Sequence, residues 1–280
     1  MTPSPDTPLS DRLWRLLPFV GRPIRRGRVA ILRLHGPIAG AGRTAEWIEL
    51  VRRLRESRRV PAVVLDVDSP GGSATASDDI FLALERLAAK KPLVAAIRGT
   101  GASGSYLAAV AARRIVANPT SIVGSIGVIA AGPRVPRLLD RLGVSVSEHK
   151  AGRLKGMGAP WREEGTEEAE KEQALVDDIY EAFVRRVAYG RRLPIERARE
   201  LATGEVWLGE EALGLGLVDE IGDLERAVEI AASMAGVPPK ASPVQIRRPL
   251  VGRLIDRFAT RVARSLADEI EIRLEDRFRM

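Results

Sequence analysis

Cysteine is absent from all 280 residues. Its absence excludes disulfides, thiolate metal sites and a cysteine nucleophile. It leaves the redox compartment open, since a cysteine-free chain suits either. Histidine is almost as scarce, with only His35 and His149. Aromatic residues make up 4% of the chain, and no ladder of basic and aromatic side chains offers bases a stacking surface, so no nucleic-acid partner is expected. Lysine occurs only at positions 90, 91, 150, 155, 171 and 240, so nearly all of the 44 cationic residues are arginine. The formal net charge of +7 reads first as this arginine bias and second as a basic surface able to meet anionic lipid. No run approaches the roughly 20 apolar residues that cross a bilayer. The nearest, 13–20, is short, carries Arg15 and Pro18, and lacks a cleavage-site pattern. Neither a membrane span nor a signal peptide is expected, and the chain reads as cytoplasmic. No internal repeat suggests a solenoid.

What is present is a globular composition, 45% hydrophobic and 29% charged. From Arg28 the pattern alternates. Residues 29–34 read as a strand and 44–56 as a helix with apolar residues at helical spacing. The nearly continuous apolar runs 61–67 and 93–97 read as strands covered on both faces. Helices are expected at 77–90 and 103–113, and short strands at 114–117 and 121–129. The alternation continues through 136–142 and 144–148. A long helix over 166–192 follows, then shorter ones at 195–202, 210–215 and 224–234. Consecutive β-α-β units imply parallel pairing with right-handed crossovers. Three regions result: an N-terminal extension (1–27), an α/β domain (28–236) and a C-terminal extension (237–280). The first holds Leu13, Trp14, Leu17 and Val20 beside four arginines, a pattern that fits an interfacial anchor or a docking arm. The last carries an apolar stripe from Leu254 to Leu274, expected to contact another subunit or a membrane surface.

Three segments carry chemistry. Asp66-Val67-Asp68-Ser69-Pro70-Gly71-Gly72 leaves the carboxyl end of a buried strand, where open α/β sheets hold ligands. Its proline fixes one φ, and its glycines let amides point outward to hold an oxyanion. An ordinary strand-to-helix turn reads the same way. Gly99 to Tyr106 also follows a buried strand and opens a helix, presenting Ser103 among small neighbours. Ser103 fits a nucleophile or a helix cap. The stretch is not the G-x-S-x-G elbow, because residue 105 is serine. A nucleophilic serine needs a base. His35 reads as structural, and nothing around His149 supports a triad. A lysine serves if it is uncharged, which burial promotes. Lys155 lies among small and apolar residues in Gly152-Arg153-Leu154-Lys155-Gly156-Met157-Gly158, with Lys150 as competitor.

In order and spacing, D-S-P-G-G, A-S-G-x-Y, G-S-I-G-V-I at 124–129, G-R-L-K and V-W-L-G-E-E-A at 206–212 resemble the signal peptide peptidase A family. So does G-L-V-D-E-I-G at 216–222. The resemblance runs from about 29 to 235. It implies the caseinolytic-protease/crotonase fold, with a parallel sheet and flanking helices, and a serine endopeptidase working through a Ser–Lys dyad and an acyl-enzyme. Carried over, Ser103 is the nucleophile, Lys155 the general base, Ser125 the residue that orients the lysine, and Gly71 and Gly72 the oxyanion turn. No cofactor or metal is implied. The implied partners are extended apolar or small-residue peptides and further copies of the chain, with peripheral contact at the inner membrane. Two features depart from the family. Ser105 replaces a usual glycine and offers a rival hydroxyl beside the nucleophile. The N-terminal membrane span of many members is missing, which weakens the case for leftover signal peptides as substrate. Other readings of the same fold are a crotonase-type acyl-CoA enzyme, which uses acidic residues instead of this serine and lysine, and a non-catalytic scaffold.

Overall fold

The computed structural model describes residues 27–244. Nearly all of them fall in one compact unit, Arg26–Ser242. Both terminal extensions expected from the sequence lie almost wholly outside the described residues.

The chain first lays down β1 (Val29–His35), α1 (Ala41–Glu56), β2 (Val63–Ser69), α2 (Ala74–Ala88) and β3 (Leu93–Ala102). β1, β2 and β3 pair in parallel. Their cores are valine, leucine, isoleucine and alanine with almost no solvent access, as expected of a sheet covered on both faces. On one face Val29, Val64, Val94, Ala96 and Val116 pack against Ala227, Val228, Ala231 and Ala232 of a late helix. The alternate set, Leu32, Leu65, Ala95 and Ile97, is equally buried.

β3 is the pivot. Val94 to Ile97 pair with β4 (Arg114–Ala117), while Thr100 to Ala102 pair with β5 (Ile122–Gly124). The strand therefore belongs to two ladders in succession and runs five residues beyond the apolar stretch that announces it. Between the two lies α3 (Gly104–Val110), packed against β2, β3 and α2.

After β5 the chain leaves the sheet. Residues 125–135 form no regular element, α4 (Pro136–Arg141) is a short helix without buried residues, and 144–150 is exposed coil. The strand expected over 144–148 does not form, because no strand among the described residues offers its backbone a partner. The chain returns through α5 (Thr166–Arg191), the longest helix among the described residues, and α6 (Ile195–Leu201). Next come β6 (Val206–Leu208), α7 (Gly209–Gly214), β7 (Glu220–Ile221), α8 (Leu224–Ala235) and β8 (Ala241–Pro243). α8 starts on the Asp223 carboxylate, which accepts from the Arg226 amide at 2.9 Å, and ends at Gly236 with φ +64°. The strand order is β6-β5-β3-β2-β1-β8, with β4 beside β3 and β7 beside β4. β5–β6 is antiparallel, a departure from the parallel pairing expected. Among the described residues, no helix is long and apolar enough to cross a membrane.

Candidate active site

Three strand ends converge where β2, β3 and β5 finish. Ser103 follows β3 and Ser125 follows β5, and both hold positive φ, 54° and 49°. A serine in that region carries strain of about 1–3 kcal/mol and persists only where the surroundings over-determine it. Here they do. The Ser103 amide donates to the Gly124 carbonyl at 2.8 Å, and the Ser125 amide donates to the Glu205 carbonyl at 2.6 Å. Ser103 therefore turns its side chain out of the sheet as α3 begins.

Across from it lies the Pro70-Gly71-Gly72 turn. Gly71 has φ +88°, and a Cβ there would sit 2.7 Å from the Gly104 nitrogen and 2.9 Å from the Ser103 Cβ. Only glycine lets the turn approach the serine so closely. Ile38 fixes the far side. Its amide donates to the Gly71 carbonyl at 2.8 Å, and its carbonyl accepts from the Ser73 amide at 2.9 Å. Among the described residues, the amides of Gly72 and Gly104 have no hydrogen-bond acceptor. The Gly71 amide makes only a long bond, 3.2 Å, to Ser69 Oγ. Unpaired amides beside a half-buried hydroxyl that lines a groove are the arrangement that stabilises a developing oxyanion. The Gly104 amide was not anticipated from the sequence. The signal was available, since the first residue of a helix leaves its N–H without an intrahelical partner.

Ser103, Ser125 and Gly72 line one groove of about 1070 Å³. Its walls come from the start of α2, from residues 127–129 and from α5. Leu107 and Phe183 give it an apolar floor, and Arg186, paired with Asp78 and set 4.7 Å over the Phe81 ring, closes one wall.

A model of peptidase family S49 matches residues 85–238. A Synechocystis protein named "Putative protease slr0021" is 38% identical over 232 residues, 82% of this chain and 83% of its own length. The chloroplastic serine protease SPPA of Arabidopsis thaliana is 35% identical over 232 residues, 81% of this chain. Protease 4 of Salmonella typhi is 34% identical over 219 residues, 75% of this chain. The chain spans 34% and 35% of the length of those last two.

The chain belongs to peptidase family S49. The S49 chain is thus a serine-type peptidase with an α/β fold.

Two expectations about this S49 site need correction. Lys155 is not buried, and it does not line the Ser103 groove. It stands exposed in a turn over 151–158, with its amide bonded to the Gly152 carbonyl at 3.2 Å. Small neighbours such as Gly152, Gly156 and Gly158 keep the backbone there compact but give the amine no cover. Ser105 is no rival hydroxyl either, because it is fully buried and faces away from the groove. The competing lysine, Lys150, is paired with Glu148 at 2.9 Å. Neither histidine lines the groove. His35 Nε2 lies 3.1 Å from Asp66, whose buried carboxylate also receives Arg98 at 2.6 Å, and His149 meets Ser147 on the exposed arm. Among the described residues there is no cluster of metal-ligating side chains.

Proposed function

We propose that the S49 chain cleaves peptides through a Ser103–Lys155 dyad completed between copies of the chain. The observation that carries this reading is the strained Ser103, held open beside the unpaired amides of Gly72 and Gly104. Ser103 Oγ attacks the peptide carbonyl and gives its proton to uncharged Lys155 Nζ. The Gly71-Gly72 turn and the Gly104 amide hold the oxyanion. Lys155 then protonates the leaving amine; water next attacks the acyl carbonyl, giving a proton to Lys155 Nζ, which passes it to Ser103 Oγ as the ester bond breaks and the acid leaves. The long Gly71 bond to Ser69 is one the amide can exchange for a stronger bond to an anion. Ser125, which lines the same groove as Ser103, accepts from and orients the incoming lysine amine.

Among the described residues nothing brings Lys155 into the Ser103 groove, so in this reading a neighbouring copy supplies it. Residues 129–165 form an arm that exposes Ile129 at 86% and Leu142 at 67%. Such apolar surface is costly unless covered. A neighbouring copy covers it, and the same docking takes the Lys155 amine out of water beside Ser103. The apolar floor suits small or apolar side chains of an extended peptide, from signal-peptide remnants or other protein fragments.

The test is complementation. Ser103→Ala and Lys155→Ala are each inactive alone. Mixed and reassembled, they regain up to about a quarter of wild-type turnover, because some sites then hold an intact serine and an intact lysine. Mixtures that stay inactive, with both variants assembled, would sink the shared site. Activity rises with pH, as an amine base accepts a proton only when uncharged. Fluorophosphonate labels Ser103 in the wild type, while turnover of an acyl-CoA thioester that survives Ser103→Ala would favour a different reaction.

A further inference from the structure

Ser105, two places after the nucleophile, has no solvent access. A buried hydroxyl needs an acceptor. Ser105 Oγ lies 2.6 Å from the Ser69 carbonyl oxygen and 2.9 Å from that of Ala102. The Ala102 contact is the local back-bond a serine makes three residues along a chain. The Ser69 contact is different in kind. It is shorter, and it reaches from the nucleophile's helix to the end of β2, where the oxyanion turn begins.

The β2 end needs such a tie. Pairing of β2 with β3 runs regularly to Val67↔Ile97 and resumes at Ser69↔Gly101, so one residue on β2 is matched against three on β3 between the two pairs. The ladder is interrupted just before the turn. From the Ser69 carbonyl onward, few torsions are free. The carbonyl lies in the Ser69–Pro70 peptide plane, and the proline ring fixes the next φ near −65°. Only the Pro70 ψ then separates the clamped carbonyl from the Gly71 amide. Ser69 adds its own hydroxyl as acceptor for that amide. Oxyanion donors act over a narrow distance range, and an error of about 0.5 Å is felt in the rate.

We propose that Ser105 is a positioning residue for the hydrolysis: its buried hydroxyl clamps the Ser69 carbonyl and thereby sets the Gly71-Gly72 amides against Ser103. The proposal rests on the reading of Ser103 and those amides given above. The serine that departs from the family's usual glycine is therefore part of the oxyanion scaffold and not a second nucleophile.

The experiment compares Ser105→Ala and Ser105→Cys with wild type, with turnover expressed per site titrated by fluorophosphonate. Ser105→Ala lowers kcat per titrated site about 10–100-fold with KM nearly unchanged, since the lost interaction acts on the transition state. Affinity for a peptide boronate, whose tetrahedral adduct on Ser103 needs the same amides, falls by the same factor. Ser105→Cys keeps the size with a weaker donor and falls between the two. A purely structural role would lower the melting temperature and the number of titratable sites but leave kcat per site at the wild-type value. That result, in whichever variant assembles, overturns the proposal. Failure of the underlying site reading looks different: Ser103→Ala itself would retain wild-type turnover.

Discussion

The Ser103 amide donates to the carbonyl of Gly124, the residue just before Ser125, at 2.8 Å. This bond locks the ends of β3 and β5 together and holds two serines at positive φ within one groove. Strain of that kind is kept where chemistry requires a side chain in an unfavourable place. Glycine at either position removes the strain along with the hydroxyl. Ser103→Gly is expected to unfold at a temperature no lower than wild type while losing at least about 10³-fold in peptide turnover. Calorimetry and a peptide-cleavage assay on the same preparation decide it. Equal loss of both would mean the backbone there is not under strain.

Gly71 and Gly72 tolerate no Cβ, for separate reasons. At Gly71 the added carbon meets the Gly104 nitrogen at 2.7 Å and the Ala102 carbonyl oxygen at 2.8 Å. At Gly72 it overlaps the Ile38 carbonyl that bridges to Ser73. Both are backbone atoms and cannot swing aside. Gly71→Ala and Gly72→Ala are expected to lower kcat more than 100-fold, by moving amides out of oxyanion range, and to cost about 1–3 kcal/mol in urea unfolding. A fully active Gly71→Ala enzyme would remove that turn from the catalytic machinery.

Regular elements were legible because their physics is local. Val29–His35 and Arg114–Ala117 appear almost where the apolar runs place them, and the long amphipathic helix ends at Arg191, one residue from its expected end. β3 extends to Ala102 although Arg98, Gly99, Thr100 and Gly101 carry no strand signal. Those residues pair only because β5, twenty residues later, comes to lie beside them. The three-residue β6 and two-residue β7 were missed for the same reason, since each exists through a partner distant in sequence. At the site, Ser103 and the glycine turn were readable as residues after buried strands. The strained φ of Ser103 depends on β5, and the Gly71 turn and the Ser105 bond on contacts between the end of β2 and α3, none of which a window of sequence contains. Lys155 was expected under cover, yet among the described residues it stands exposed.

Lys91 holds the end of α1 from outside. Its ammonium donates to the carbonyls of Leu54, Ser57 and Val60, at 2.7, 2.5 and 2.9 Å. The Leu54 and Ser57 carbonyls belong to the end of the helix, where carbonyls lack intrahelical partners, and a cation there also complements the helix dipole. Lys91→Met keeps the apolar stem and removes the donors. It is expected to cost about 1–3 kcal/mol in stability without changing kcat per titrated site, because α1 does not line the groove. A loss of activity larger than the loss of folded protein would count against this purely structural role.

Asp219 offers a pH test that is independent of the active site. Its carboxylate accepts both arms of the Arg191 guanidinium at 2.9 Å and the Ile115 amide at 2.7 Å, joining the end of α5 to β4. Burial pushes the Asp219 carboxyl up, but the Arg191 hydrogen bonds and charge, with the Ile115 amide, outweigh it and hold the group below the usual aspartate value. A carboxyl with a depressed folded pKa stabilises the protein fully above its unfolded pKa, about 3.9. That contribution is lost as pH falls through the folded value. Asp219→Asn removes it at every pH and leaves Arg191, only 6% exposed, without its counter-charge. Breaking such a pair costs about 3–5 kcal/mol. At pH 7 the variant is therefore expected to melt well below wild type, and below pH 4 the gap should narrow as the wild-type carboxylate takes up its proton. A gap that stayed constant down to pH 2 would show that the charge of Asp219 contributes nothing, and that the loss comes from packing alone.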